Sequence, residues 1–293
     1  MKRISFPVGI VAFGVAVALL MGAEPRAIVI CQYNLDNYVG EDQAAAPPQR
    51  AKPKSEAEIT ALIRIIKEIS PDILGVCEMG SRERFADFVL RLKNEGLAYV
   101  DSEYVSGPDP DRHLALLSRF PIVSRQSLAD VPFNLGGRPE KVRRGFLDVT
   151  IQVNAGYQLR MVGVHLKSKL PALEDEALIR RHEAHLLRTH LDKVLDANPE
   201  VNLICYGDFN DLKNTPGFRE IAGVRGSPGY MSDLWAADSV GDRWTHFWRA
   251  ADLYSRIDYI LVNRAVAQEV IREKTTVYRS DFWNQGSDHR PVC

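Results

Sequence analysis

Short polar motifs close many of the apolar runs in this sequence: Tyr33-Asn34-Leu35-Asp36, Cys77-Glu78, His165-Leu166-Lys167-Ser168, Gly207-Asp208-Phe209-Asn210, Arg256-Ile257-Asp258-Tyr259 and Ser287-Asp288-His289-Arg290-Pro291-Val292. Taken singly, each has an ordinary explanation. Gly-Asp-Phe-Asn fits an Asx-type turn after a strand, His165 a partly buried histidine, and Glu78 a helix cap or surface carboxylate. Taken together they supply hard oxygen donors from Asp, Glu and Asn, with no Cys or His cluster at zinc spacing, a set that suits Mg2+, Mn2+ or Ca2+. Phosphoester cleavage needs such a centre. The cation polarises a phosphoryl oxygen, and an oriented histidine manages the proton of the attacking water. His289 with Asp258 can form that acid-base pair, because a carboxylate on one ring nitrogen fixes the tautomer and raises the basicity of the other.

These residues need strands to carry them to one place. Strand-like runs occur at 28–34, 73–77, 114–118, 146–153, 158–165, 201–206 and 257–262, so functional residues should gather at strand ends. Within 146–153, Leu147, Val149, Ile151 and Val153 alternate with Asp148, Thr150 and Gln152, which predicts a strand covering a core on one face only. Ser55 and Glu58 form a capping box before Ile59, Leu62, Ile63, Ile66 and Ile69 at helical spacing, and Pro71 ends that helix. Phe85, Phe88, Val89 and Leu92 predict a second helix, and Glu174–Ala197 a longer third one. Residues 43–54 read as an exposed Ala/Pro-rich loop. Helices alternating with mixed strands, without an internal repeat, predict one layered α/β or α+β domain.

Lys2 and Arg3 precede an uncharged run from Ile4 to Ala23, the layout of a secretory signal, or of an anchor if it is not cleaved. Residues 1–23 are therefore expected to direct export to a periplasmic or extracellular location, and 24–293 to form the functional domain. The formal net charge is −1, and losing Lys2 and Arg3 would make it −1 − 2 = −3, so a global basic field is excluded and a polyanion must be met by local patches. Cys31, Cys77, Cys205 and Cys293 are widely spaced. They read as buried free thiols, although an oxidising compartment permits disulfides, and three full pairings are open.

At the polar motifs the chain resembles the endonuclease/exonuclease/phosphatase superfamily of DNase I-like and neutral sphingomyelinase-like phosphoesterases, over about Ala27 to Cys293 and in the family's motif order. The resemblance implies a four-layer sandwich, two mixed β-sheets face to face with helices outside, and a site at one edge of the sheet pair. It implies Glu78 as the main metal ligand, with Asn34, Asp36 and Asp288 in or just outside its shell. Asp208 would align the attacking water, Asn210 would hold a phosphate oxygen, and His289, oriented by Asp258, would be the general base. His165 matches a second histidine of the DNase I-like and sphingomyelinase-like branches that contacts the phosphate or leaving group. Arg144 and Lys167 are candidate phosphate contacts with solvated surface charge as the alternative, and His113 has no assigned role. Trp244-Thr245-His246-Phe247-Trp248 is open to reading as cleft wall or as core. Family domains continue past the Ser-Asp-His motif into a closing strand, which here should be short or missing.

The resulting expectation is an exported, divalent-metal-dependent phosphodiesterase that is monomeric, needs no protein partner and has nucleic acid as its leading substrate class. Phospholipid or sphingomyelin phosphodiesterase is the alternative within the enzyme class. The alternative from another class is a non-catalytic binding module that kept the fold, and a metal titration separates it from an enzyme.

Overall fold

The computed structural model describes residues 27–40, 52–169 and 176–293. The expected signal or anchor at 1–23 lies outside the described residues, as does most of the 43–54 loop. Strands β1 (Ile30–Tyr38), β2 (Ile73–Met79), β3 (Asp101–Val105) and β4 (His113–Ser118) form one mixed sheet in the order β1-β2-β4-β3. The second sheet runs β11-β14-β10-β9-β8-β5. Its members are β5 (Ile122–Arg125), β8 (Leu147–Asn154), β9 (Tyr157–His165), β10 (Leu203–Asp208), β11 (Ser232–Asp233) and β14 (Asp258–Val262). Two short hairpins, β6 (Pro132–Leu135) with β7 (Arg138–Lys141) and β12 (His246–Trp248) with β13 (Leu253–Ser255), stand outside these sheets.

Alternating side chains divide the interior into three apolar layers. Ile73, Cys77, Leu114 and Leu116 of the first sheet meet Leu147, Val149, Met161, Ile204 and Ile260 of the second in the central layer. The opposite face of the first sheet, with Tyr33, Leu74 and Leu117, packs on Ile59, Leu62 and Ile66 of α1 (Glu56–Ile69) and Phe88 and Leu92 of α2 (Arg82–Asn94). The outer face of the second sheet, with Val162, Val164 and Cys205, packs on Leu187 and Leu191 of α3 (Glu176–Ala197) and Phe218 and Ile221 of α4 (Pro216–Ala222). This is the predicted four-layer arrangement. The α1 capping box is complete: Ser55 Oγ accepts from the Glu58 N–H, and Glu58 accepts from the Ser55 N–H at 2.6 Å.

Glycine sets the spacing of the two sheets near the site. A Cβ on Gly75 of β2 would sit 2.0 Å from the Tyr206 ring, and one on Gly163 of β9 would sit 2.6 Å from its hydroxyl. The bulky ring two residues before Asp208 therefore fills the gap between the sheets, and only the absence of both side chains makes room for it.

Strand β8 corrects one expectation. Its Leu147, Val149 and Ile151 face the core as predicted, but Asp148 on the other face is fully buried. Arg160 of β9 reaches it at 2.7 Å and His190 of α3 at 2.8 Å. Those charge-assisted bonds compensate the carboxylate for lost water, and its pKa is lowered despite burial because His190 and Arg160 bond to it. At the end of the chain Val292 makes isolated bridges with Gln32 and Val277 and forms no full strand.

Candidate active site

Three neighbouring strands of the second sheet bring three predicted residues into one row. Asp208 at the end of β10 is in register with His165 on β9 and with Asp258 on β14. Facing them across the sheet pair, Asn34 on β1 is in register with Cys77 on β2, one residue before Glu78. The backbone is strained here: Asp36, Asn37, Glu78 and Asn210 have φ of 49°, 61°, 60° and 50°. Non-glycine residues with positive φ are uncommon, and they cluster at functional sites because their side chains must be aimed against local preference.

Asn34 ties the two sheets together. Its Nδ2 donates to Asp208 Oδ2 at 3.0 Å and to Glu78 Oε1 at 3.4 Å, and its Oδ1 accepts the Asp36 N–H at 3.0 Å. The Asn37 N–H donates to Glu78 Oε2 and its side chain to Asp36 Oδ1. The Asn210 N–H donates to Asp208 Oδ1 at 2.7 Å, and its Nδ2 donates to Leu166 O, leaving one amide hydrogen for a ligand.

His289 comes from the C-terminal segment. Ser287 Oγ donates to Asn34 O and accepts the His289 N–H, while Arg290 is buried with a guanidinium nitrogen 2.8 Å from Asp238 and its Cζ 3.5 Å from the centre of the Trp244 ring. Asp258 Oδ2 lies 2.7 Å from His289 Nδ1. Its other oxygen accepts from Gln32, and Thr245 Oγ1 accepts the Asp258 N–H. His289 Nε2, on the other side of the ring, lies 3.9 Å from Asp208 and 3.8 Å from Asp288. His165 Nε2 lies 3.6 Å from the same Asp208 and 3.8 Å from Glu78.

The electrostatics push the two histidines apart. Burial opposes charge on His289, but bonded Asp258, with Asp288 and Asp208 adding, raises its pKa well above the ordinary value. His165 is driven well below it by burial, then by Arg144, Arg112, His289 and Lys167. A pair split in this way can divide proton transfer and neutral hydrogen bonding between its members. Burial and the Asp258 charge lift Asp208 to about 7, and burial with Asp288 lifts Asp36 to about 6.

That crowding of carboxylates, one buried and the others part-exposed, tests the fit of a cation. Glu78, Asp36, Asp208 and Asp288 offer hard oxygens whose mutual repulsion a divalent ion would relieve, so the donor set fits Mg2+, Mn2+ or Ca2+. Among the described residues, the triplets whose ligand atoms come within 4.8 Å of one another are Asp208, Asp258 and His289, and His246, Asp288 and His289. Glu78, the expected main ligand, joins neither triplet and is linked to Asp36 through Asn37.

The candidate cations are not equivalent. Arg144 is buried and pairs with Asp109 at 2.9 Å, and its Nε and Nη1 have no partner among the described residues. Lys167 is held by Glu176 at 3.2 Å. Both act on His165, so neither is a remote surface charge. Two further residues complete the site, Arg112 without a sequence signal and His246 from the aromatic run left open between cleft wall and core. Arg112 approaches Glu78 at 3.6 Å, and His246 lies 3.5 Å from Asp288 with its ring 4.6 Å from that of His289. In the aromatic run, His246 thus faces the site, Thr245 is core, and Trp248 is exposed.

The family model described as Endonuclease/Exonuclease/phosphatase family matches residues 31–289. The chain belongs to that family, whose members are hydrolases of phosphoester bonds. No curated protein is matched by sequence. Among solved structures, sphingomyelinase C from Streptomyces griseocarneus has a TM-score of 0.63 at 14% identity, over 92% of this chain and 98% of that one. The human nocturnin catalytic domain with a bound sulfate anion has a TM-score of 0.61 at 19% identity, over 90% and 92%. A family protein from Bacteroides thetaiotaomicron has a TM-score of 0.59 at 18% identity, over 92% and 97%. At these identities the likeness shows the DNase I-like fold.

Proposed function

We propose that this chain is an exported, divalent-metal-dependent phosphodiesterase with nucleic acid as its leading substrate class. The observation that carries the reading is the convergence of His289, backed by Asp258, with Asp208 and His165 around one buried space. His289 acts as general base, accepting a proton from the attacking water at Nε2 while Asp258 holds the imidazolium that forms. Asp208 aligns that water, and Asn210, neutral His165 and Arg144 hold phosphate oxygens. Glu78, with Asn34, Asp36 and Asp288 nearby, would hold the cation. When bound, it polarises the phosphoryl oxygen and offsets developing negative charge.

A phospholipid phosphodiesterase is the second reading, favoured by the β12–β13 hairpin. Beside His246 it exposes Trp248 by 46%, Leu253 by 52% and Tyr254 by 49%, enough apolar surface to enter a membrane interface. The similarity to a sphingomyelinase C supports the same option.

The test is hydrolysis of a generic aryl phosphodiester, plasmid DNA and sphingomyelin with Mg2+, Mn2+ or EDTA, beside His289→Ala. The expected result is metal-dependent turnover lost in the variant, with DNA the better substrate. Turnover of sphingomyelin alone would select the second reading. Folded protein that neither turns over any substrate nor binds metal would refute both and leave a non-catalytic module.

A further inference from the structure

The three apolar layers separate the cysteines. Cys31 points from β1 toward the α1–α2 layer, Cys77 from β2 into the layer between the sheets, and Cys205 from β10 toward α3. Cys77 Sγ contacts Val164 O at 3.4 Å, and neither it nor Cys205 has a sulfur partner among the described residues. Cys293 packs against the same layer as Cys31, and their sulfurs are 2.8 Å apart.

The backbone explains this meeting. Gln32 and Val292 exchange both hydrogen bonds, Gln32 N–H to Val292 O at 2.8 Å and Val292 N–H to Gln32 O at 3.0 Å. They form a hydrogen-bonded antiparallel pair, so the flanking residues Cys31 and Cys293 are a non-hydrogen-bonded pair. Such pairs bring their Cα atoms to about 4.5 Å, inside the range a disulfide spans without moving the backbone.

The structure assigns Cys31 and Cys293 as a disulfide pair, which would fasten the His289-bearing C-terminal segment to β1. Cys293 is partly exposed, whereas burial and Cys293 itself raise the Cys31 thiol well above its ordinary pKa. Cys293 is therefore the sulfur that an external disulfide reaches. Its thiolate attacks a small disulfide of the glutathione type, giving a mixed disulfide and one free thiol. Cys31, losing its proton, then displaces the second thiol. Two cysteine thiols are oxidised to one cystine, and one external disulfide is reduced to two thiols.

The sequence left three full pairings open, and the layers reduce them to one bridge plus two buried thiols. The bridge acts on stability and not on proton transfer. Gln32, beside Cys31, bonds Asp258, and Val292, beside Cys293, continues the segment that starts at Ser287. Both ends of the bridge are thus within a few residues of groups that set His289 in place.

Full chain, reduced and then exposed to oxidised glutathione, should lose two of its four thiols by titration in denaturant. Mass spectrometry should find Cys31 and Cys293 in one cross-linked peptide. Oxidised wild type should melt about 5–10 °C above its reduced form, while Cys293→Ser should show no response to oxidant. A folded protein that keeps all four thiols, a cross-link joining any other pair, or equal melting of the two forms would overturn the assignment.

Discussion

Replacing Asp258 by Asn removes one charge and almost no volume, and it bears on the whole reading of the site. The carboxylate is fully buried and uses both oxygens, one on His289 at 2.7 Å and one on Gln32 Nε2 at 3.1 Å. An amide cannot serve both donors. If its oxygen faces His289, its NH2 faces the Gln32 NH2; if it turns, the ring loses its acceptor and favours the wrong tautomer. Breaking a buried charge-assisted pair costs about 3–5 kcal/mol, and if the imidazolium forms in the transition state the rate should fall by about 10²–10⁴-fold. The pH dependence carries a second signature. Asp258 is the main group raising His289, so the acid limb of wild-type activity, where the base takes up its proton, should lie above the ordinary histidine value and move to lower pH in the variant. Asp208 should follow in the same direction, since the Asp258 charge helps lift it to about 7. The assay is kcat against pH on an aryl phosphodiester with saturating Mg2+, with circular dichroism to confirm folding. A folded variant with a wild-type rate, or with a large loss but an unmoved limb, would refute the role given to Asp258.

Two further outcomes follow from the same geometry. Mg2+ should raise the Tm more at pH 8 than at pH 5.5, because Asp36 at about 6 and Asp208 at about 7 must lose protons before they can face a cation; a Tm gain by differential scanning fluorimetry that is flat across that window would contradict the proposed ligand field. Gly75→Ala should destabilise the domain by about 1–3 kcal/mol or more in urea unfolding, since its Cβ would meet the Tyr206 ring at 2.0 Å; an unchanged midpoint would show that the sheets can separate without cost.

The residues legible in the sequence share a property: their signal is local. The capping box of Ser55 and Glu58, the alternation of Leu147, Val149 and Ile151, and the motif ends at Asp208 and His289 are each visible within a few positions, and strand register then carries the motif ends to one edge. What escaped is what only tertiary contact creates. Asp148 sits on the polar side of an alternating strand, and nothing near it announces Arg160 or His190, which arrive from β9 and α3. Arg112 stands in ordinary surroundings and His246 in an aromatic run that reads equally as core, yet one reaches Glu78 and the other Asp288. The hairpins β6–β7 and β12–β13 have strands of four residues or fewer, too short to establish a period.

His246 shows why this limit matters for mechanism. It pairs with the carboxylate beside His289, and that contact, with His289 adding, lowers the Asp288 pKa although burial acts the other way. The Asp288 pKa is thus lowered, while burial and the Asp288 charge push Asp36 up. The pKa of Asp288 therefore depends in part on His246, whose run the sequence left open between cleft wall and core and whose hairpin pairing it did not show. The motifs specify which donors are present, and the hairpin adds a contact that shifts the balance of charge among them.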